Sequence, residues 1–221
     1  DELERADNFQ AALSSLIKTT IKEHKRIIFN GNNYAPEWIG EAEKRGLLNL
    51  RSTVDCMPYY IKDENIKLFE KYNVLTKTEV YSRYEIQLEN YYKQINIEAL
   101  TMADMINKDI LPDALACMKD LSSVAVNKKQ LGGGISCEYE ESMLKKLSPL
   151  SGSLYKEAET LKASVEKVPE FTDIMSEAKY YHDVVLAQME KTRKLGDETE
   201  SLLGSKYLSY PTYGDLLFSV V

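Results

Sequence analysis

The chain has 221 residues, of which 43% are hydrophobic and 29% charged, a composition typical of soluble globular proteins. Acidic residues outnumber basic ones by 35 to 28, and the net charge of −7 disfavours contact with phosphate backbones, so we expect no nucleic-acid partner. No apolar run reaches the roughly 18–20 residues that a membrane-spanning helix needs, so we expect no membrane partner either.

The cysteine pattern and the first residue bear on compartment and processing. Cys56, Cys117 and Cys137 are an odd number at wide spacing, which predicts thiols in a reducing compartment rather than a disulfide framework. We therefore expect a cytoplasmic protein. The chain begins with Asp1 instead of methionine and carries no signal-peptide pattern, so we expect a processed product or an excised piece of a longer protein.

Residues 1–75 predict short helices and an irregular segment. Asp7 or Asn8 can cap a first helix, whose apolar residues share one face at helical spacing: Phe9, Leu13, Leu16, Ile17 and Ile21. The stretch "FNGNN" predicts a turn, because Asn-Gly tolerates positive φ. Pro36 suits the first position of a second, short helix. We interpret the irregular part as a docking segment.

Residues 76–128 predict one very long helix. "TKTE" is a capping box running from Thr76 to Glu79. Apolar residues then recur in steps of 4-4-3, close to an eleven-residue repeat, which is typical of a nearly straight helix. They are Val80, Tyr84, Leu88, Tyr91, Ile95, Ala99, Met102, Ile106 and Ile110. Pro112 should kink this helix without ending it, because the helical pattern continues beyond the proline.

Residues 137–203 predict an antiparallel helical hairpin, which follows the flexible break "QLGGGISC". Its first arm carries apolar residues every seven positions, with Pro149 as a weak point, and Pro169 separates the two arms. Residues 204–221 end in "YPTYGDLLFSVV", an apolar and aromatic stretch. We interpret this end as a docking tail.

No pattern of reactive residues indicates chemistry. His24 and His182 are the two histidines, and neither stands at metal-ligand spacing from other donors. The glycines of "LGGGISC" lack the Gly-Lys-Ser/Thr ending of a phosphate-binding loop, and no histidine can be assigned to Cys137 as a catalytic base. We therefore expect no catalytic, cofactor-binding or metal-binding residue in this chain.

The fifteen tyrosines are an unusual feature. Those on the long helices predict mainly core or seam positions, although tyrosine is also favoured at protein–protein contacts. The chain by itself is thus predicted to be all-α: an elongated helical bundle with one very long kinked helix, an antiparallel helical hairpin and short N-terminal helices. We treat 1–221 as a single helical domain.

Several long motifs resemble one family. "RIIFNGNNY", "EAEKRGLLNLRSTVD", "SRYEIQLENY", "INIEALTM", "DILP" and the terminal "PTYGDLLF" together resemble the C-terminal region of type III glutamine synthetase. The resemblance runs from about Asn8 to Phe218 and is weakest over 113–206, where only the helical pattern carries over. At Cys56 the family more usually has a small residue such as alanine.

The resemblance implies a parent enzyme that forms glutamine from glutamate and ammonium with ATP and Mg²⁺ or Mn²⁺. It also implies a cytoplasmic dodecamer of two stacked hexameric rings. The family's catalytic motifs belong to domains upstream of this region, so no catalytic residue is carried over to any position here. The partners implied are the chain's own upstream catalytic domain and sister subunits.

We therefore interpret the chain as a C-terminal structural domain that is inactive in isolation. It would brace the catalytic domain through 26–55 and 207–221. The interface candidates come from these two segments and from the long helix: Arg26, Phe29, Asn30, Tyr34, Trp38, Arg83, Glu85, Asn96, Tyr213, Leu216 and Phe218.

Two alternatives remain open at this stage. Within the enzyme class, Arg83, Glu85 or Asn96 could reach a neighbouring active site and tune it. In a different class, the chain could be a stand-alone helical adaptor that binds a partner through its tyrosine-rich seam.

Overall fold

The computed structural model describes residues 3–218, which fold into helices and contain no strand. This confirms the all-α prediction. The described residues divide into two compact units, 3–52 and 53–218. None of the helices in this range is long and apolar enough to cross a membrane.

The first unit contains two α-helices, and the second contains the remaining eight. Their bounds are α1 Phe9–Glu23, α2 Pro36–Lys44, α3 Thr53–Tyr60, α4 Asp63–Lys71, α5 Lys77–Met105, α6 Leu111–Leu131, α7 Glu138–Glu166, α8 Ile174–Tyr180, α9 Leu186–Leu202 and α10 Tyr213–Phe218.

The N-caps of α1 and α5 form as predicted. Asn8 caps α1 by accepting a hydrogen bond from the backbone N–H of Ala11 at 3.1 Å. At α5, the Thr76 hydroxyl accepts from the Glu79 N–H at 3.3 Å, and the Glu79 carboxylate accepts from the Thr76 N–H at 2.7 Å. This reciprocal pair satisfies two backbone donors that the first turn of a helix cannot pair internally.

The long helix is continuous from Lys77 to Leu131, because α5 and α6 are joined by a π-helical turn, Ile106–Ile110. At 1.5 Å per residue its 55 residues extend about 80 Å. Pro112 lies just after the π turn and does not end the helix. A proline removes one backbone donor and crowds the carbonyl four residues earlier, and a wider π turn is one way a helix accommodates that change.

The second unit is built on three long helical segments, namely the long helix α5–α6, helix α7 and the segment α8–α9. The apolar stripe predicted for α5 is buried or half-buried along its whole length, with Val80, Leu88 and Ala99 fully buried. Leu161 and Leu154 of α7 pack against this stripe, and Leu147 packs against α6 beyond it, in the order opposite to the direction of the long helix. The packing therefore follows the predicted seam.

α7 and the segment α8–α9 form the predicted antiparallel hairpin. The Tyr180 hydroxyl donates to the Ser164 carbonyl at 2.8 Å, and the Gln188 side chain donates to the Glu157 carboxylate at 2.5 Å. A second π turn, Tyr181–Val185, joins α8 to α9. Pro149 lies inside α7 without interrupting it.

The tri-glycine loop closes the far end of α6 and α7. Gly132, Gly133 and Gly134 all have positive φ, near +70°, which is a conformation that favours glycine. Beside the loop, the Lys128 ammonium pairs with the buried Glu140 carboxylate at 2.5 Å and fixes the two helices together. The predicted break between the two helices is thus a short loop in which three successive glycines have positive φ.

Candidate interface surfaces

An arginine that the sequence did not single out organises the irregular docking segment. The Arg45 guanidinium lies over the rings of both Phe29 and Trp38, at 6.0 and 5.8 Å from their centroids. The two rings are stacked 4.2 Å apart. Arg45 also donates to the carbonyls of Ile28 at 2.7 Å and of Arg26 at 3.4 Å. The Arg45 side chain therefore makes both cation–π contacts and hydrogen bonds to the backbone.

Gly31 has a different role from the one the sequence suggested. Neither Asn30 nor Gly31 has a positive φ. Instead, the Phe29 ring occupies the space where a Cβ on residue 31 would lie, with a ring carbon only 2.5 Å from that position. A side chain at position 31 would have to displace the Phe29 ring from its stack on Trp38, which the residue spacing alone could not reveal.

The candidates of the docking segment divide into two groups. Phe29 and Trp38 are half-buried in the Arg45 stack, whereas Arg26, Asn30 and Tyr34 are exposed. Tyr34 is 98% exposed, the highest value among the large apolar and aromatic side chains of the described residues. The stack holds the segment in one shape, and Tyr34 is presented to the outside.

The three candidates on the long helix are not brought together as one group. Arg83 and Glu85 are exposed. Asn96 is half-buried, and its side-chain oxygen accepts a hydrogen bond from the Tyr181 hydroxyl at 3.3 Å. Asn96 thus has a partner inside the bundle.

The first part of the predicted docking tail lies on the long helix of its own chain. The Tyr207 hydroxyl donates to the Asp120 carboxylate at 2.8 Å, and the backbone N–H and hydroxyl of Ser209 donate to Asp113 at 2.9 and 3.0 Å. Leu208 packs in the apolar cluster beneath them. We call residues 205–210 the strap. Hydrogen bonding to Tyr207 holds the pKa of Asp120 below its ordinary value, and the Lys206 ammonium adds to this effect.

Beyond the strap, α10 presents apolar side chains. Thr212 and Asp215 form a capping box, with the Thr212 N–H donating to the carboxylate at 2.8 Å and the Asp215 N–H donating to the hydroxyl at 3.2 Å. Tyr213 is 83% exposed and Phe218 is 81% exposed, and Leu216 is also exposed. The predicted candidates of the tail therefore all lie on this short helix.

The tyrosine-rich seam lies within the bundle. Tyr181 is buried, and the Tyr92 ring stacks on it with centroids 5.5 Å apart. Tyr91 and Tyr180 are half-buried against the same apolar cluster. These rings pack helices of the same chain together, which is the structural role predicted for most of them.

An apolar groove with charged edges lies between the long helix and α9. Its volume is about 540 Å³, and Met102, Met105 and Met189 line it. Three carboxylates, those of Glu98, Asp197 and Glu200, and one guanidinium, that of Arg193, surround the apolar surface. Burial raises the pKa of Glu200, and the Asp197 carboxylate raises it further. We call this the α5–α9 groove; no sequence pattern had indicated it.

Metal-binding geometry is absent from residues 3–218, where no group of three or more His, Cys, Asp or Glu side chains is placed to hold an ion.

Comparison with known proteins places the chain in a family. A family model described as "Glutamine synthetase C-terminal domain" matches residues 12–129. The chain is 47% identical over 214 residues to a glutamine synthetase of Butyrivibrio fibrisolvens, which covers 97% of this chain and 31% of that protein. It is 31% identical over 216 residues to a type-3 glutamine synthetase of Dictyostelium discoideum, covering 95% of this chain and 29% of the relative.

A third relative is a glutamine synthetase of Bacteroides fragilis, which is 24% identical over 94% of this chain and 29% of its own length. The chain thus spans about 30% of the length of the relatives it matches. The family match covers more than half of the 221 residues, and it includes the docking segment and most of the long helix. This chain belongs to the glutamine synthetase C-terminal domain family.

Proposed function

We propose that this chain is the structural and assembly domain of a type III glutamine synthetase and is inactive when isolated. The whole protein would join ammonium to glutamate with ATP, in the cytoplasm. Relatives named glutamine synthetase that are about three times as long as the matched region support this proposal. Catalysis would then depend on the larger part of the protein.

The proposed work of this domain is to brace the catalytic part through segments 26–55 and 207–221. The observation that carries the proposal is the exposure of aromatic side chains at defined positions in both segments, above all Tyr34 and Phe218. Large apolar side chains that are exposed on rigidly held elements are typical of contact surfaces. Arg45 holds the first segment, and the strap holds the base of the second.

In this proposal, ATP and Mg²⁺ or Mn²⁺ would be held by the rest of the whole protein, to which the family's catalytic motifs are assigned. The same family relation suggests sister subunits in a dodecamer as further partners.

The direct test uses the full-length enzyme and a change that leaves the bundle intact. We expect the double variant Leu217→Asp/Phe218→Asp to reduce assembly and activity together, because each aspartate would place a charge in an apolar contact. Both side chains are exposed in the isolated domain, so its helix content should stay unchanged. Analytical ultracentrifugation measures assembly, and glutamine formation measures activity.

Tyr155→Asp is the matched control, because Tyr155 is also an exposed aromatic residue but lies on α7, outside the two proposed segments. The control should assemble normally. Normal assembly and activity of the double variant would contradict the proposed role of α10. Tyr34→Ala tests the first segment in the same way, and retention of full assembly would contradict its part in the brace.

The role of the long helix in tuning a neighbouring active site is a separate proposal. Arg83 and Glu85 are exposed and available for such a contact. Alanine at both positions should change the KM for a substrate without loss of assembly if this proposal is right. Unchanged kinetics would dispose of it.

A further inference from the structure

The first observation concerns the prolines and glycines inside the three long helical segments of the second unit. The long helix α5–α6, helix α7 and the segment α8–α9 together contain four such residues: Pro112, Pro149, Gly152 and Gly196. Proline lacks the N–H that a helix needs, and glycine adds backbone freedom. These four positions are therefore the places where the long segments bend most easily.

All four residues lie at one level of the bundle, between two apolar clusters. The first cluster includes one residue from each long segment: Ile110, Leu154 and Leu195. The second cluster likewise includes Ala114, Leu147 and Leu202. In each segment, the proline or glycine residues lie between its residue of the first cluster and its residue of the second. We call this the hinge level.

Two of the three segments carry a second cause of bending at the hinge level. In the long helix, the π turn Ile106–Ile110 comes directly before Pro112, and π turns are found where helices kink. In α7, the Ser151 and Ser153 hydroxyls donate to the carbonyls four residues earlier, at 2.8 and 3.0 Å. Such bonds weaken and often bend a helix.

The strap crosses the hinge level. Tyr210 packs against the first cluster, whereas Leu208 packs against the second. Between them, the backbone N–H and hydroxyl of Ser209 donate to Asp113, the residue next to Pro112. One short segment of chain therefore contacts both sides of the hinge level.

The part of the bundle beyond the hinge level, residues 113–148, has internal contacts of its own. We call it the distal arm; it consists of α6 and the first turns of α7. The Lys128 ammonium pairs with the buried Glu140 carboxylate at 2.5 Å near its far end. α9 ends at Leu202, within the second cluster. These contacts allow the distal arm to move as one body.

We propose that the distal arm swings about the hinge level and that the strap is the lock that holds it in place. α10 begins at Tyr213, three residues after the end of the strap, so a displacement of α10 would pull on the lock. This device goes beyond the proposed brace, in which α10 serves only as a contact. The link to α10 rests on that brace, whereas the hinge and the lock do not.

The first test releases the strap in the 221-residue chain. Asp113→Ala/Asp120→Ala removes the acceptors of three hydrogen bonds that the strap donates. Alanine favours helix, so the long helix itself should stay intact. Asp104→Ala is the matched control, because Asp104 lies on the same helix but pairs with Lys108. Circular dichroism verifies the helix content of both variants.

Pulsed electron paramagnetic resonance measures the movement between two nitroxide labels. The labels are placed on cysteines introduced at exposed positions, in a chain whose own three cysteines are replaced by alanine. Asn127→Cys with Lys194→Cys forms the pair that spans the hinge level. Asn127→Cys with Lys146→Cys lies within the distal arm, and Lys156→Cys with Lys194→Cys lies on the near side. These last two are the control pairs.

We expect release of the strap to broaden the distance distribution of the spanning pair alone. Asn127 lies about 22 Å from Pro112 along the helix, so a bend of about 20° would move it by about 8 Å. With the second label beside the axis of the bend, the distribution should widen by about 3–6 Å. Both control pairs, and all pairs in Asp104→Ala, should keep their distributions.

The second test stiffens the hinge level. Pro149→Ala/Gly152→Ala/Gly196→Ala places residues that favour helix at three of the four positions. Alanine fits, because an added Cβ meets no neighbouring atom within 4 Å at Gly152 and approaches the Ile110 side chain to 3.9 Å at Gly196. Combined with the strap release, this variant should restore the narrow distribution. A strap that only loosened locally would not respond to these changes.

Three results would overturn the proposal. The first is a spanning pair that stays as narrow after strap release as in Asp104→Ala. The second is equal broadening in the control pairs, which would mean general loosening of the bundle. The third is a stiffened chain as broad as the strap-released one.

Hydrogen exchange of the same strap variants with their native cysteines gives an independent measurement. Release of the strap should accelerate exchange at 109–115 and 149–154 more than in the rest of the distal arm. Equal acceleration throughout the arm would also contradict the hinge. Because these experiments contain no catalytic domain, each result leaves the proposed brace to be judged by its own test.

Discussion

Two amphipathic helices of this protein, α5 and α1, differ in how much of their apolar face is buried. In residues 53–218, α5 buries its stripe against α7 and the segment α8–α9, and Leu88 and Ala99 are fully buried. In residues 3–52, α1 has an equally regular stripe and buries no residue. The comparison teaches that amphipathic periodicity predicts which face of a helix will be covered. It does not predict how much of that face becomes buried.

The largest expected effect is on the core of the second unit. Leu154→Ala should lower its free energy of unfolding by about 2–5 kcal/mol, because Leu154 is fully buried and a cavity would remain. Leu16→Ala on the exposed apolar face of α1 should cost less than about 1 kcal/mol. Urea unfolding followed by circular dichroism measures both values. Equal losses in the free energy of unfolding at the two positions would contradict the difference in burial between the core of the second unit and α1.

A smaller effect is expected where a single side chain organises the first unit. Arg45→Met should destabilise this unit by about 1–3 kcal/mol, because it loses two carbonyl contacts and the stack on two rings. Trp38 is the one tryptophan in the sequence, so its fluorescence reports on this unit alone. Lys44→Met, at the neighbouring exposed position, is the control. Unchanged fluorescence unfolding in Arg45→Met would show that the stack does not hold the segment.

Two tyrosine hydroxyl groups of the strap should contribute differently to the free energy of unfolding. Tyr207→Phe should cost about 0.5–1.5 kcal/mol, because its hydroxyl donates to Asp120. The Tyr210 hydroxyl is buried and has no hydrogen-bond partner among the described residues, so Tyr210→Phe should be neutral or stabilising. Thermal unfolding of the two variants in parallel measures the difference. The reverse order of stabilities would mean that the strap is held in another way.

The smallest effect is a pH dependence confined to the strap. The pKa of Asp120 is lowered in the folded chain, first by the Tyr207 hydrogen bond and then by Lys206. Its contribution to stability is therefore present above the ordinary value of 3.8 and is lost as the pH falls through the lowered folded pKa. Hydrogen exchange in residues 205–210 should accelerate below about pH 4 relative to α7. Asp120→Asn should accelerate this exchange already at pH 7 and abolish the extra acid sensitivity.

The sequence predicted the regular parts of this protein well. The capping box at Thr76 and the continuous helix that follows come from interactions between residues three or four apart, and such interactions can be read from spacing. The same holds for the two arms of the hairpin. The family was also indicated by motifs that cluster in the irregular segments, and the comparison with known proteins confirms it.

Residue spacing could not predict contacts between residues far apart in the sequence. Arg45 meets Ile28 across seventeen positions, and Ser209 meets Asp113 across ninety-six. The sequence therefore predicted a tail that docks elsewhere, whereas 205–210 lies on the chain's own long helix and only α10 is presented outward. The space available at Gly31 likewise depends on where the Phe29 ring lies.

The sequence alone determined the helical class, the length of the main helix and the residues that line its seam. These features depend on local hydrogen bonding and on a hydrophobic pattern repeated many times, so no single tertiary contact decides them. Tertiary structure decided which surfaces are used and which stay exposed: the Arg45 stack, the strap and the α5–α9 groove. Each of these depends on side chains brought together from separate parts of the chain, and the periodicity of one helix carries no information about its neighbours.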